Sequence, residues 1–148
     1  MEWHETSKSA VIFFATVIVL AMALIYVMLK GPVVEPALDC DIQAGGCRKR
    51  LGDRIVELEI QPRPVVSMQD LTFQVRIIGR PLSAAPAIDL GMPAMEMGPN
   101  HVDLRKTGEN RYAGRGLIVH CPSGKTIWQA TVTLPGDGEA VFTFDVIY

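Results

Sequence analysis

Residues 71–77 read LTFQVRI, and this stretch decides the fold class, because apolar side chains at its odd positions alternate with polar ones at its even positions. Alternation with a period of two indicates a β-strand that buries one face and exposes the other. The same pattern occurs in residues 56–60, VELEI, and in residues 142–146, FTFDV. The chain is therefore predicted to contain a set of half-buried antiparallel strands.

Further strands are predicted on both sides of this stretch. Residues 88–90 and 102–104 each carry a short apolar alternation. Residues 112–120 and 126–134 flank the turn sequence CPSGK, so they are interpreted as a hairpin with a short loop in which Trp128 faces the core. About seven short strands separated by turn signals, with no amphipathic helix between them, predict an all-β, immunoglobulin-like antiparallel β-sandwich.

The N-terminal part of the chain has a different character. Residues 10–29 read AVIFFATVIVLAMALIYVML and carry no charge, so they are long and apolar enough to cross a bilayer as a single helix. The small residues of the AMA sequence at 21–23 offer an alternative, a cleaved signal peptide. The apolar run continues past that point to Leu29, which favours an uncleaved anchor.

Three segments follow from these patterns: an N-terminal transmembrane anchor over residues 1–30, a linker over residues 31–52, and a β-sandwich domain over residues 53–148. The linker begins with the proline-containing sequence GPVVEPA, which is typical of a stiff spacer. Basic residues near the membrane favour the cytoplasmic side, and a simple count places the C-terminal domain there. The basic cluster RKR at residues 48–50 lies near the far limit of that rule, so the orientation stays open.

Composition excludes several classes of function. The net charge is −2 with 20% charged residues, and no basic stripe runs through the chain, so nucleic acid is not an expected partner. The sequence contains no GxSxG, no HExxH, no phosphate-binding glycine loop and no CxxC. We therefore expect a protein that is not an enzyme.

The three cysteines are Cys40, Cys47 and Cys121, and an odd number permits at most one intramolecular disulfide. Cys40 and Cys47 are near enough in CDIQAGGC to close a small loop, but a bond between Cys47 and Cys121 is equally allowed by the sequence. A disulfide is favoured over a dithiol metal site. Cys121 precedes a turn and is expected to be accessible, and the neighbouring His120 is expected to be a buried or edge histidine that shares a face with Trp128.

Residues 91–100, GMPAMEMGPN, hold three methionines in six residues between two proline turns. Thioether sulfur is a soft donor that suits Cu(I). Met95 and Met97 have the parity of one strand face, Met92 comes from the preceding turn, and His101 follows closely. These four side chains are the predicted copper site. Methionine is also a flexible filler of core gaps, and Met92 continues the inward parity of residues 88–90.

Together these features suggest a family. A membrane anchor, sandwich strands, the sequence MPAMEMGPN, then NRYAG at residues 110–114 and WQATV at residues 128–132 resemble the YtkA-like and FixH-like domains of bacterial membrane proteins. Small proteobacterial relatives with a cysteine before the second turn are similar as well. The resemblance covers the chain from about Arg54 to the C-terminus. Only Met92, Met95 and Met97 match the methionine motif.

The resemblance implies an immunoglobulin-like domain outside the cytoplasmic membrane, with a role in copper supply or in respiratory oxidase assembly. It places the chain in the bacterial inner membrane as a single-pass protein with its C-terminal domain in the periplasm, where a disulfide is more plausible. Two functions are therefore expected. The first is binding or delivery of Cu(I) for a copper enzyme such as a terminal oxidase. The second is a non-catalytic accessory subunit of a larger respiratory membrane complex, in which the methionines form an adaptable apolar contact.

Overall fold

The structure is a computed structural model that describes residues 3–29, 38, 40–93 and 95–148. The chain divides into two compact units, Met1–Glu35 and Pro36–Tyr148. The predicted proline-containing spacer at residues 31–37 lies outside the described residues.

The first unit contains the helix α1, Trp3–Leu29. Its segment Val11–Leu29 has 19 residues, a mean hydropathy of 2.8 and exposed apolar side chains. At a rise of about 1.5 Å per residue this segment is about 28 Å long, which is close to the apolar thickness of a bilayer, about 30 Å. One apolar helix long enough to span a membrane is thus present, as predicted.

The second unit is a sandwich of two antiparallel sheets. One sheet has the strand order β1-β2-β3-β7-β6, and the other has the order β5-β4-β8-β9. The order β2-β3-β7-β6 against β5-β4-β8-β9 is that of the immunoglobulin strands A-B-E-D against C′-C-F-G, so the predicted fold class is confirmed. The strands among the described residues are β1 (Cys47–Leu51), β2 (Arg54–Gln61), β3 (Asp70–Ile78), β4 (Ala87–Gly91), β5 (His101–Asp103), β6 (Arg105–Gly108), β7 (Arg111–Leu117), β8 (Ile127–Leu134) and β9 (Gly138–Asp145).

The core lies between the sheets, where the alternating apolar side chains of the strands meet. β2 and β8 bury every second residue, as the period-two pattern predicts. Trp128 is fully buried, as expected, and its indole Nε1 donates a hydrogen bond to the Tyr148 hydroxyl over 3.1 Å. Burial of such aromatic side chains supplies much of the hydrophobic stabilisation of a domain of this size.

The two sheets lie very close together where β7 passes β5. A Cβ atom placed on Gly114 would lie 2.3 Å from the carbonyl oxygen of Asp103, and one on Gly116 would lie 2.6 Å from a methyl carbon of Val102. A side chain on Gly114 would overlap the backbone of Asp103, and one on Gly116 would overlap the side chains of Val102 and Phe73. The two glycines of β7 thereby set the position of β5.

A buried ion pair joins the two sheets at one end of the sandwich. Arg54 begins β2 and is only 4% exposed, and its guanidinium pairs with Asp137 in the turn between β8 and β9. The same guanidinium donates hydrogen bonds to the carbonyls of Arg80, over 2.8 Å, and Pro81, over 3.3 Å. Its donors are therefore used within the fold, as a buried charge requires.

The predicted hairpin of residues 112–120 and 126–134 is wrong. β7 pairs with β3 and β6 in one sheet, whereas β8 pairs with β4 and β9 in the other, so the connection crosses between the sheets. Alternation identifies a strand but does not identify its partners. His120 is consequently exposed and stacks against the Tyr148 ring at 4.5 Å, so the expected place beside Trp128 is also wrong.

The sandwich extends further towards the N-terminus than the predicted boundary at residue 53. Ile42 and Cys47 are buried, and β1 occupies part of the predicted linker. β1 was missed because its sequence, CRKRL, shows charges where a strand usually shows apolar residues. A disulfide joins Cys40 and Cys47, whose Cα atoms are 5.7 Å apart, and this settles the alternatives that the sequence left open.

Residues 102–104 were predicted as one strand, but the chain changes sheets there. β5 ends at Asp103 in one sheet, and β6 begins at Arg105 in the other. Leu104 lies at the crossing and is buried. β6 was missed because its sequence, RKTG, is short and polar.

Candidate methionine and histidine site

The segment of residues 92–100 connects β4 to β5 and is fixed at both ends. The backbone NH of Met95 donates to the carbonyl of Met92 over 3.2 Å, which closes a turn with Pro93 at its second position, where proline is favoured. At the other end, Asn100 accepts a backbone hydrogen bond from Leu90 over 2.8 Å and donates its side-chain amide to Leu117 over 3.1 Å. The methionines are thus carried by an anchored loop.

The three methionines line one surface depression of about 310 Å³. Met92 is buried, with 6% exposure, as its parity predicts. Met95 and Met97 are half-buried, and Glu96 between them is exposed. The two methionines therefore lie on the same side of the loop, as expected. The rest of the depression is formed by the loop itself and by β4 and β8, from Asp89, Leu90, Gly91, Gly98, Pro99, Asn100, Gln129 and Thr131.

Gly91 is one of the residues that line the depression. It is the last residue of β4 and pairs in register with Gln129 of β8. A Cβ atom on Gly91 would meet no other atom within 4 Å. The missing side chain therefore leaves open space at this part of the lining, and no backbone constraint requires glycine at this position.

His101 lies beside this site rather than within it. It begins β5, pairs in register with Asp89 of β4, and its Nδ1 contacts the Asp89 carboxylate. Asp89 lines the depression, whereas His101 does not. A carboxylate on one ring nitrogen fixes the imidazole and leaves Nε2 available to bind a ligand, which is also the arrangement found around metal-binding histidines. Asp89, which the sequence did not suggest as a site residue, therefore connects His101 to the depression.

The surrounding face is acidic. The outward-facing strand residues of the β5-β4-β8-β9 sheet include Asp89, Asp103, Glu139 and Asp145 and include no lysine or arginine. Glu96 adds a further carboxylate on the loop. Acidic side chains that surround an open depression raise the local concentration of cations.

The donor atoms fit a soft cation. Within the described ranges, no group of three or more His, Cys, Asp and Glu side chains is arranged to hold a metal ion. The soft donors at this face are the thioethers of Met92, Met95 and Met97 and the imidazole of His101. Thioether and imidazole together suit Cu(I), whereas hard ions prefer oxygen.

The free cysteine belongs to a different part of the sandwich. Cys121 is 5% exposed, so the expectation that it is accessible is wrong. Its Sγ lies 2.9 Å from the Ser123 hydroxyl, and this hydrogen bond is the main cause that lowers the pKa of the thiol below its ordinary value of 9.0. Cys121 begins a tight turn, in which the backbone NH of Gly124 donates to the Cys121 carbonyl over 2.9 Å.

Comparison of the chain with protein-family models, with curated proteins and with solved structures finds no match in any of the three.

Proposed function

We propose that this chain is a membrane-anchored, non-catalytic protein that binds Cu(I) and delivers it to a copper enzyme such as a terminal oxidase. The observation that carries the proposal is the meeting of Met92, Met95 and Met97 at one depression on an acidic face. Three thioethers at one surface site form a soft donor set that suits Cu(I).

Each residue of the site has a distinct role in this proposal. Met95 and Met97 are half-buried on an anchored loop, and they supply the sulfur atoms that a partner reaches. Met92 closes the site from the core side. Asp89 holds the His101 ring so that Nε2 serves as a nitrogen ligand. Copper bound by these groups is held by neutral donors, and the carboxylates nearby compensate its charge.

The site of action follows from the N-terminal helix and from the family resemblance. We place α1 in the bacterial inner membrane as a single-pass anchor, with the sandwich in the periplasm. The length and hydropathy of α1 support the anchor. The Cys40–Cys47 disulfide supports an oxidising compartment, because such bonds are rare in the cytosol.

Titration of the full chain in detergent with Cu(I), against a competing chelator, tests the proposal. We expect Asp89→Asn to weaken binding by about 10- to 100-fold, and Met95→Leu with Met97→Leu to weaken it at least as much. Met68→Leu is the matched control, since Met68 is an exposed methionine of the sandwich outside the loop. Unchanged affinity after replacement of all three loop methionines by leucine would contradict the proposal.

A second variant blocks the site without removing a ligand. Gly91→Val places a branched side chain in the depression, where a Cβ atom meets nothing within 4 Å, and valine is favoured in strands. We expect the folded protein to keep its stability and to lose Cu(I) affinity. Normal affinity in this variant would show that copper does not occupy the depression.

The half-buried thioethers also favour a second function, that of an accessory subunit docked on a respiratory membrane complex. Met95 and Met97 offer adaptable apolar surface to a partner protein. In that case the chain co-purifies with a stable complex, and Met95→Leu with Met97→Leu leaves the association intact. A free monomer in mild detergent would remove the support for this alternative.

A further inference from the structure

The two outer faces of the sandwich carry opposite charge. The outward-facing strand residues of the β1-β2-β3-β7-β6 sheet include six arginines and three acidic residues: Arg48, Arg50, Arg76, Arg105, Arg111, Arg115, Glu57, Glu59 and Asp70. We call this surface the arginine face. Its net charge is positive by three, although the whole chain has a net charge of −2. The opposite sheet presents only acidic charges on its strands, as described above for the methionine site.

Half of the arginines on the arginine face have no ion pair within the described residues, since Arg48, Arg76 and Arg115 are paired and the other three are not. Glu57 accepts an ion pair from Arg48 at 2.9 Å and another from Arg76 at 3.5 Å, so one carboxylate serves two guanidinium groups. Arg111 follows Arg76 in the same row across the sheet and is exposed. Within the described part of the chain, Arg50, Arg105 and Arg111 form no ion pair, and all three are exposed. Exposed guanidinium groups without a partner are suited to bind an external anion.

Phosphate is an anion that arginine binds well, and a membrane that holds α1 supplies phosphate in its lipid headgroups. A guanidinium group presents a planar set of donors that matches the oxygens of a phosphate. The connection between Leu29 of α1 and Cys40 has ten residues, so these two residues are at most about 40 Å apart when the connection is fully extended. The strand that follows it is β1, which carries Arg48 and Arg50. A membrane that holds α1 therefore limits how far the sandwich can lie from the lipid headgroups.

We propose that the arginine face docks on the anionic phospholipid headgroups of the membrane in which α1 is anchored. This inference rests on the membrane anchor and is independent of copper binding. With the arginine face on the bilayer, the acidic sheet and its methionine depression face away from the lipid. The methionine depression is then open to a partner. It lies on the acidic sheet, which repels anionic headgroups.

Energy transfer from a dye on the sandwich to a headgroup-labelled lipid tests this docking in the reconstituted full chain. One dye is placed through Gln74→Cys, which is exposed on the arginine face, and the matched control is placed through Ala87→Cys, which is exposed on the opposite face. The unsubstituted chain gives the background labelling of the buried Cys121. In vesicles that contain phosphatidylglycerol we expect stronger transfer from Gln74→Cys than from Ala87→Cys. In vesicles of phosphatidylcholine alone we expect the two to become similar.

Removal of positive charge then distinguishes docking of the arginine face from simple attachment through α1. Arg50→Gln, Arg105→Gln and Arg111→Gln together are expected to lower the docking equilibrium constant by about a hundredfold, since each basic side chain contributes roughly fivefold near an anionic bilayer. These arginines form no ion pairs within the described residues, so the melting temperature of the triple variant should be unchanged. Should the variant unfold, raised salt applied to the original chain removes the same attraction, because the screening length falls to about 3 Å at 1 M.

Two outcomes would overturn the proposal. The first is equal transfer from the Gln74 position in anionic and neutral vesicles. The second is unchanged transfer in the triple variant or in high salt. If equal transfer in both lipids were accompanied by salt-sensitive binding of added polyglutamate, the arginine face would be assigned to an acidic protein instead of the bilayer.

Discussion

Substitution of Gly114 by alanine should destabilise the sandwich far more than the same substitution at Gly91. Both glycines lie in strands, and neither has a positive φ angle, so alanine is compatible with the backbone of each. They differ in what the added methyl group meets. At Gly114 it lies 2.3 Å from the carbonyl oxygen of Asp103 and 3.0 Å from a methyl carbon of Val102, whereas at Gly91 it meets nothing within 4 Å.

The expected magnitude follows from these distances. The shortest ordinary carbon to oxygen contacts are about 3.3 Å, so β5 and β7 must separate by about 1 Å to admit the methyl group. The obstructing atom belongs to the backbone of Asp103, and therefore no rotamer change relieves the overlap. Overpacking of this kind costs about 1–3 kcal/mol, and we expect Gly114→Ala to lie near the upper end. Gly91→Ala is expected to raise the free energy of unfolding by about 0.4–1 kcal/mol, because alanine reduces the conformational entropy of the unfolded chain.

Denaturant unfolding of the full chain in detergent, followed by the fluorescence of the buried Trp128, measures both changes. The free energy of unfolding should differ between the two variants by about 3 kcal/mol. Because β5 also carries His101, Gly114→Ala should in addition displace that ring from Asp89. Equal stability of the two alanine variants would refute the close approach of β5 and β7, and with it the assignment of these strands to facing sheets.

Two further predictions concern ionisable groups. Asp137→Ala leaves the buried Arg54 charge without its partner and should destabilise the domain by about 3 kcal/mol. Asp70→Ala should cost less than about 1 kcal/mol, because the Asp70 side chain that pairs with Arg115 is 82% exposed. Thermal unfolding measures both losses, and similar values would contradict the ion pair of Arg54 and Asp137. Ser123→Ala removes the hydrogen bond that lowers the pKa of Cys121, so the midpoint of thiol alkylation against pH should move upward. Because the folded pKa lies below 9.0, the contribution of the thiolate to stability is full above pH 9.0 and is lost as the pH falls through the folded pKa. Ser123→Ala should therefore cost the most stability above pH 9.0, and an unshifted alkylation midpoint would count against the Ser123 interaction.

Much of the candidate site could be predicted from the sequence because its methionines are close along the chain. Met92, Met95 and Met97 lie within six residues, and a loop of that length cannot separate them widely. Asp89 and Gly91 were not predicted as parts of the site. One is an ordinary acidic residue on a strand and the other an ordinary glycine, and their importance depends on the register of β4 with β5 and β8.

The sequence by itself determined the apolar helix, most of the strands and the inner face of each of those strands, because a period of two or an unbroken apolar run is a property of consecutive residues. Strand partners are a property of residues far apart, so only the tertiary structure separated β7 from β8 and included β1 in the sandwich. It also selected the Cys40–Cys47 disulfide from the pairings that the sequence allowed. The separation of six arginines from the acidic face has the same origin, since the charge of a face depends on which strands share a sheet.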